Sequence, residues 1–126
     1  MKNFVKRITA VILTISLIPV ANAGSLYCNG ATISYLAIHQ PGNVYIQLSN
    51  MNALVGICSL DTNWAPAGSL SGVTTPAACK AMLAALMIAK QTGAAIPQML
   101  FDGDKVPTSC TGFTYWEGVN VRFYLM

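Results

Sequence analysis

The sequence predicts a mixed α+β domain, mainly β, in which three strands precede a single helix and two strands follow it. Three observations lead to this expectation. Apolar and polar residues alternate at 44–49 and again at 119–126, as they do in half-buried strands. A run rich in alanine, leucine, methionine and lysine at 77–91 is typical of a helix. Segments rich in proline, glycine and asparagine separate these elements.

The first three strands are expected in meander order. Residues 31–39 form the first, and the turn signal Gln40-Pro41-Gly42-Asn43 ends it. Residues 44–49 form the second, paired to the first as a hairpin. The apolar run 53–60 forms the third, because its β-branched residues favour a strand over a helix.

The helix follows a long loop at 61–75, which is rich in asparagine, proline, glycine, serine and threonine. Thr75 is the expected N-cap, with Pro76 at the first helical position, and Gly93 ends the helix. One side of the helix is expected to pack against the strands, because five residues fall at helical spacing: Cys79, Met82, Leu83, Leu86 and Lys90. The many alanines make almost every side of the helix apolar, so we expect it to be buried.

Two strands are expected after the helix, one at 95–101 and one that begins after Gly112 and shows its clearest alternation at 119–126, with a polar loop beginning at 102–105 between them. The complete order is that of a five-stranded OB-like Greek-key barrel, which has its one helix between strands three and four. Other α+β arrangements of the same elements stay open.

Residues 1–23 have the layout of a bacterial signal peptide. Three basic residues precede an apolar run at 8–20, and Ala21-Asn22-Ala23 supplies the small residues of a cleavage site. We expect cleavage after Ala23, which leaves residues 24–126 as one domain. The alternative is an uncleaved anchor, but the apolar run is shorter than the roughly 18 residues that a bilayer span needs. The expected location is the periplasm or the exterior.

The net charge of +3 comes entirely from the expected signal peptide. The remaining charged side chains are four cations and four anions: Lys80, Lys90, Lys105 and Arg122 against Asp61, Asp102, Asp104 and Glu117. Binding to nucleic acid or to anionic lipid requires a basic face, and none can be assembled from these residues. We therefore expect no nucleic-acid partner, and no membrane insertion after cleavage.

The four cysteines all lie in the expected mature domain, and export would bring them to an oxidising compartment. In the proposed barrel, Cys58 late in strand three would pair with Cys110 in the loop between strands four and five. Cys28, just before strand one, would pair with Cys79 on the first helical turn. A metal site is not expected, because no Cys-x-x-Cys occurs and His39 is the only histidine.

A family resemblance is carried by three features: Cys-Ser-Leu-Asp-Thr-Asn-Trp-Ala-Pro at 58–66, the helix, and Lys-Gln-Thr-Gly-Ala-Ala-Ile at 90–96. This order resembles the B subunits of AB5 toxins of the subtilase cytotoxin and pertussis-like group. It is also similar to a group of small exported bacterial proteins of unknown role. The toxin resemblance implies an OB barrel, a homopentamer, a toxin A subunit as partner, and binding to host glycans. The chain departs from that family in the inserted residues 67–74 and in its alanine-rich helix.

Enzymatic activity is not expected, and neither is a cofactor. Hydrolysis needs a nucleophile with a base or paired carboxylates, and the chain offers His39 beside a turn and four scattered acids. His39 is expected at a solvent-exposed strand end. Asp102-Gly103-Asp104 resembles the start of a calcium loop, but it is short and no glutamate follows, so a solvated turn is favoured.

Aromatic residues are the candidate ligand-binding groups, because sugars present apolar C–H faces that stack on rings while neighbouring polar groups bond their hydroxyls. The alternative is that these rings fill the core or a subunit contact. The candidate residues are Tyr35, Tyr45, Gln47, Trp64, Tyr115 and Trp116.

Two functions follow as expectations. The first is an exported, non-enzymatic binding module, a glycan-recognising subunit similar to toxin B chains. The second is a stand-alone structural or interaction protein of the periplasm or envelope, such as an inhibitor or assembly factor, without a sugar site.

Overall fold

The computed structural model describes residues 24–70 and 72–126, and the predicted signal peptide at 1–23 lies outside them. The described part contains one helix and two three-stranded antiparallel sheets. The predicted class, α+β and mainly β, is therefore confirmed. The elements in chain order are β1 (Gly24–Tyr27), β2 (Ile33–His39), β3 (Asn43–Leu48), β4 (Val55–Ser59), α1 (Pro76–Thr92), β5 (Gln98–Gly103) and β6 (Asn120–Leu125).

The first sheet is the predicted meander of β2, β3 and β4. The β2–β3 hairpin runs in register from the pair His39 and Asn43 at its turn to the pair Ile33 and Leu48 at its far end. Alternate residues of β3, Val44, Ile46 and Leu48, are fully buried. The residues between them therefore face the other side of the sheet.

The second sheet has β5 at its centre, between β1 and β6. Strand β1 lies outside the predicted strands. It has only four residues, too few to show an alternating pattern, and it is held by antiparallel pairing that runs from Gly24 opposite Gly103 to Tyr27 opposite Leu100. Backbone pairing with a partner distant in the chain, and not local side-chain pattern, therefore determines this strand.

Two short bridges join the sheets. Ala31 pairs antiparallel with Ile96, and Gly56 pairs in parallel with Gly118. At the second bridge the Gly56 amide donates to the Glu117 carbonyl at 2.8 Å, and the Val119 amide donates to the Gly56 carbonyl at 2.9 Å. The two sheets and α1 enclose a single hydrophobic core.

Helix α1 begins and ends where the sequence predicts, within one residue. The Thr75 hydroxyl accepts from the Ala78 amide at 3.3 Å, and Gly93 adopts a left-handed conformation with φ of 68°. The expectation that the helix is buried is wrong for one side of it. Its core side carries four buried residues, but Met87 and Ile88 are 48% and 63% exposed. A single sheet can cover only one stripe of a helix.

Both disulfides are present, but the predicted pairing is wrong. The bonds join Cys28 to Cys110 and Cys58 to Cys79. The error arises because strand β1 was not predicted. Pairing of β1 with β5 places Cys28 beside the second sheet, where its amide donates to the Met99 carbonyl at 2.9 Å. Cys110 lies on that side too, and Cys58 is left facing the start of α1.

The disulfides are typical of proteins in oxidising compartments outside the cytoplasm. No helix within residues 24–70 and 72–126 is long and apolar enough to cross a bilayer.

The long loop before α1 is anchored at both ends. Trp64 and Thr74 exchange two backbone hydrogen bonds of 2.9 Å, which close the loop into a bridge. The Thr74 hydroxyl donates to the Asn120 side chain at 2.9 Å, and the Asn120 amide donates to the Asp102 carboxylate at 3.1 Å. Asp102 and Asn120 are buried, so this network satisfies polar groups inside the domain while it fixes the loop to β5 and β6.

Candidate functional site

The side of the β2–β3 hairpin opposite the core carries aromatic and polar side chains, of which Tyr35 is exposed and Tyr45 is buried, with 8% of its surface accessible. In the observed register Tyr35 lies opposite Gln47, Ala37 opposite Tyr45, and His39 opposite Asn43. Cross-strand partners share one face of a sheet, so these side chains form one surface. The predicted juxtaposition of Tyr45 with Gln47 on one face of the strand is in agreement with the alternation of β3.

Two rings of this hairpin, those of His39 and Tyr45, meet a third from a distant part of the chain, that of Trp116. The ring centroids of Tyr45 and Trp116 are 5.1 Å apart in an edge-to-face arrangement. His39 lies 5.7 Å from Trp116 and 6.1 Å from Tyr45. These spacings lie within the range in which aromatic rings attract one another. We call Tyr45, Trp116 and His39 the aromatic cluster.

Trp116 is the most unusual member of the cluster. Its φ is 68°, in the left-handed region, and among the described residues it is the only one other than glycine with a positive φ. Its amide donates to the Leu54 carbonyl at 2.9 Å, and this bond holds the backbone in place. The side chain is 56% exposed. Strained conformations of this kind cost roughly 1–3 kcal/mol and are found preferentially at functional sites.

Trp64 supports the cluster from inside. Its indole N–H donates to the Val119 carbonyl at 2.8 Å, and its ring lies against two glycines. A Cβ atom at Gly56 would lie 3.2 Å from both the Trp64 ring and the Tyr45 ring, and one at Gly118 would lie 3.0 Å from Trp64. Trp64 is half-buried and its one donor is occupied, so its contacts here are those of a packing residue.

The other predicted residues lie around the cluster. Tyr35 is 62% exposed beside Gln47. The Gln47 side-chain amide donates to the Met51 carbonyl at 3.1 Å, which fixes its orientation. Tyr115 is exposed and precedes Trp116, but no ring contact joins it to the cluster among the residues that the structure describes.

His39 is the member of the cluster that the sequence reasoning missed. It is exposed at the end of β2, as predicted, but its ring also packs against Trp116. The signal was partly available, because a residue at the end of one hairpin strand lies diagonally close to the residue two positions inside the other. The position of Trp116 came only from the tertiary fold.

In the described part of the chain, no three histidine, cysteine, aspartate or glutamate side chains lie close enough together to hold a metal ion. The rings of the aromatic cluster offer apolar faces, an indole N–H and an imidazole. Chemically, such a surface can stack on a flat apolar face and exchange a few hydrogen bonds with the ligand that carries it.

No protein-family model, no curated protein and no solved structure matches this chain.

Proposed function

We propose that this domain is an exported, non-enzymatic binding module that recognises carbohydrate through the aromatic cluster. The observation that carries the proposal is Trp116: a half-exposed indole, kept in a strained backbone conformation, beside Tyr45 and His39. Burial in a core does not explain the strain, since the ring remains open to solvent. A stacking surface for the apolar face of a sugar ring would explain both the exposure and the fixed position.

The absence of catalysis is part of the proposal. In the described part of the chain the His39 ring contacts Tyr45 and Trp116, and no hydrogen bond joins its imidazole to a hydroxyl, thiol or carboxylate. A general base must lie within hydrogen-bonding reach of the group that it activates. Binding is therefore the activity that this arrangement supports.

An OB-like barrel, as in the toxin B subunits that the sequence resembles, is the architecture we propose. The order of a three-strand meander, a helix and a two-strand hairpin supports it. So do the bridges of Ala31 to Ile96 and of Gly56 to Gly118, since they join the ends of the two sheets.

A ring-shaped homopentamer, with a toxin A subunit as a further partner, is the assembly that the resemblance suggests. Two features of the surface support self-association. In the described part of the chain β2 pairs only with β3, which leaves its other edge without a ladder, whereas the start of β6 lies beside β4 at the Gly56–Gly118 bridge. Ile38 on β2 and Leu125 on β6 are 59% and 46% exposed, although both are apolar. Open edges with apolar side chains favour pairing between copies of a chain.

The test of the function is a glycan array probed with the purified, oxidised protein. We expect binding to a restricted set of glycans, and Trp116→Gly should weaken it about tenfold or more, equivalent to about 1.4 kcal/mol. Glycine accepts the left-handed backbone, so this variant removes the ring without distorting the chain. Tyr27→Ala is the matched control, because Tyr27 is a similarly exposed aromatic residue on the other sheet.

Two results would contradict the sugar-binding proposal: no glycan bound by the wild-type protein, or equal binding by wild type and Trp116→Gly. Light scattering tests the assembly separately. A species of five protomers supports the toxin-like ring. A monomer supports the second function, a stand-alone interaction protein of the envelope, for which the exposed apolar residues Met87 and Ile88 on α1 would offer a protein contact.

A further inference from the structure

A second candidate site lies away from the aromatic cluster, between α1 and β6. It is a cavity of about 360 Å³, which lies within the size range of small-molecule sites. Its polar lining comes from Thr74, Arg122 and Tyr124. Its apolar lining comes from both elements and from the end of the preceding loop: Val73, Ala78, Ala81, Met82 and Val121.

A β-bulge directs Arg122 into this cavity. Leu100 of β5 pairs with Phe123, and the next residue, Phe101, pairs with Val121, so Arg122 is an extra residue in β6. Consecutive residues of a regular strand point to opposite faces, yet Val121 and Arg122 both line the cavity. Bulges are over-represented next to functional sites, where they redirect a side chain.

Arg122 is the one charged side chain among the lining residues, and it is exposed to solvent. Within residues 24–70 and 72–126 the structure records no ion pair for the Arg122 guanidinium. The first turn of α1, which carries the lining residue Ala78, has no acidic side chain. The Thr74 hydroxyl donates to Asn120, so toward the cavity it can only accept. Arg122 and Tyr124 are therefore the groups that can donate hydrogen bonds to a ligand.

We propose that this cavity binds a small organic carboxylate with an aliphatic body. The carboxylate accepts hydrogen bonds from Arg122, whose planar guanidinium matches its geometry. The aliphatic part lies against Met82, Val121 and the alanines of α1. A sugar would not suit this lining, because most of its hydroxyls would face apolar side chains without a partner.

The groove on the other side of α1 provides a contrast. It has a volume of about 230 Å³ and is lined by Leu36, Ala37, Ile38, Leu83 and Met87, all apolar. Without a polar group it cannot orient an anion or select for one. The proposal therefore concerns the cavity at Arg122 alone.

The test uses octanoate as probe and octan-1-ol as its uncharged counterpart, with binding to the oxidised protein measured by calorimetry and by NMR shift changes. We expect octanoate to bind more tightly than octanol, with shifts at Ala81, Val121 and Tyr124. Arg122→Gln should weaken octanoate binding about tenfold while leaving octanol binding unchanged. Lys80→Gln is the matched control, because it removes a cation from α1 that does not line the cavity.

A second variant fills the cavity from an exposed helical position. Ala81→Leu should reduce the binding of both probes, and its helix content should stay that of the wild type, since leucine is a good helix former. The proposal is overturned if octanoate does not bind at about 10 mM, a concentration that detects even weak sites. It is also overturned if Arg122→Gln and Lys80→Gln have equal effects, or if the shifts lie elsewhere. Glycan binding at the aromatic cluster is a separate readout, which neither variant should change.

Discussion

Trp116 has a backbone conformation that residues with a side chain avoid. At φ of 68° its Cβ atom approaches the carbonyl oxygen that follows, which costs roughly 1–2 kcal/mol in an L-residue. The bond from its amide to the Leu54 carbonyl and the contact with the Tyr45 ring offset that cost. A glycine here would avoid this backbone cost, so we attribute the tryptophan to what its exposed ring does.

We predict that Trp116→Gly is more stable than Trp116→Ala by about 1–2 kcal/mol, because only glycine occupies the left-handed region without steric cost. Both variants lose the same ring, so their difference isolates the backbone. Urea unfolding of the two variants measures it. Equal stabilities would mean that residue 116 is not held at a positive φ in solution.

At the scale of the element, local sequence signals determine the ends of α1, and tertiary packing determines which of its apolar residues are buried. Its ends are set by Thr75, Pro76 and Gly93, each of which acts through its own backbone or side chain. These signals can be read from the sequence, and the predicted ends of the helix are correct to within one residue. The side that faces the core could also be read from helical spacing, since Cys79, Met82 and Leu86 are buried as predicted. That the opposite, equally apolar side stays exposed could not be read.

Thr75→Ala should lower the stability of the domain by about 1 kcal/mol, because the Ala78 amide loses the hydroxyl that accepts its hydrogen bond. Thermal unfolding followed by circular dichroism measures the change. Thr108→Ala is the control at an exposed loop position, and it should change stability by less than about 0.5 kcal/mol. Equal stabilities of Thr75→Ala and Thr108→Ala would contradict a stabilising role of the Thr75 cap.

At the scale of the whole molecule, the disulfides connect parts of the chain that lie far apart. Cys28 and Cys110 are 82 residues apart in sequence, and Cys58 and Cys79 are 21 apart. The first bond ties the end of β1 to the loop between β5 and β6, and the second ties β4 to the first turn of α1. Together they fasten both sheets and the helix around one small core.

Removing the bond with the larger loop should cost more stability, because a larger loop leaves the unfolded chain more freedom. The chain-entropy relation gives about 4.5 kcal/mol for the double variant Cys28→Ala with Cys110→Ala, and about 3.3 kcal/mol for Cys58→Ala with Cys79→Ala. Urea unfolding of the oxidised proteins tests the order. Non-reducing peptide mapping gives the pairing itself, and a linked peptide containing Cys58 and Cys110 would contradict the structure.

The candidate site was predictable in its residue types and only partly in its arrangement. Tyr45 and Gln47 share a face because strands alternate, which the sequence shows directly. The contact between Tyr45 and Trp116 joins β3 to the loop before β6, and no local pattern encodes it. His39 reaches Tyr45 within its own hairpin, but its contact with Trp116 forms only when the loop before β6 packs against the first sheet.

By itself, the sequence determined the mixed α+β class, the position of one helix, the approximate positions of five strands, and the presence of cysteines suited to an oxidising compartment. Those features depend on periodicity, capping and composition, which act over a few residues. The last strand was predicted to begin after Gly112, but it begins at Asn120, because the residues between them form turns. The tertiary structure alone decided strand β1, the disulfide pairing, the exposed side of α1, the aromatic cluster and the bulge at Arg122. Each of these depends on contacts between segments distant in sequence, and such contacts form only when burial of the common core brings those segments together.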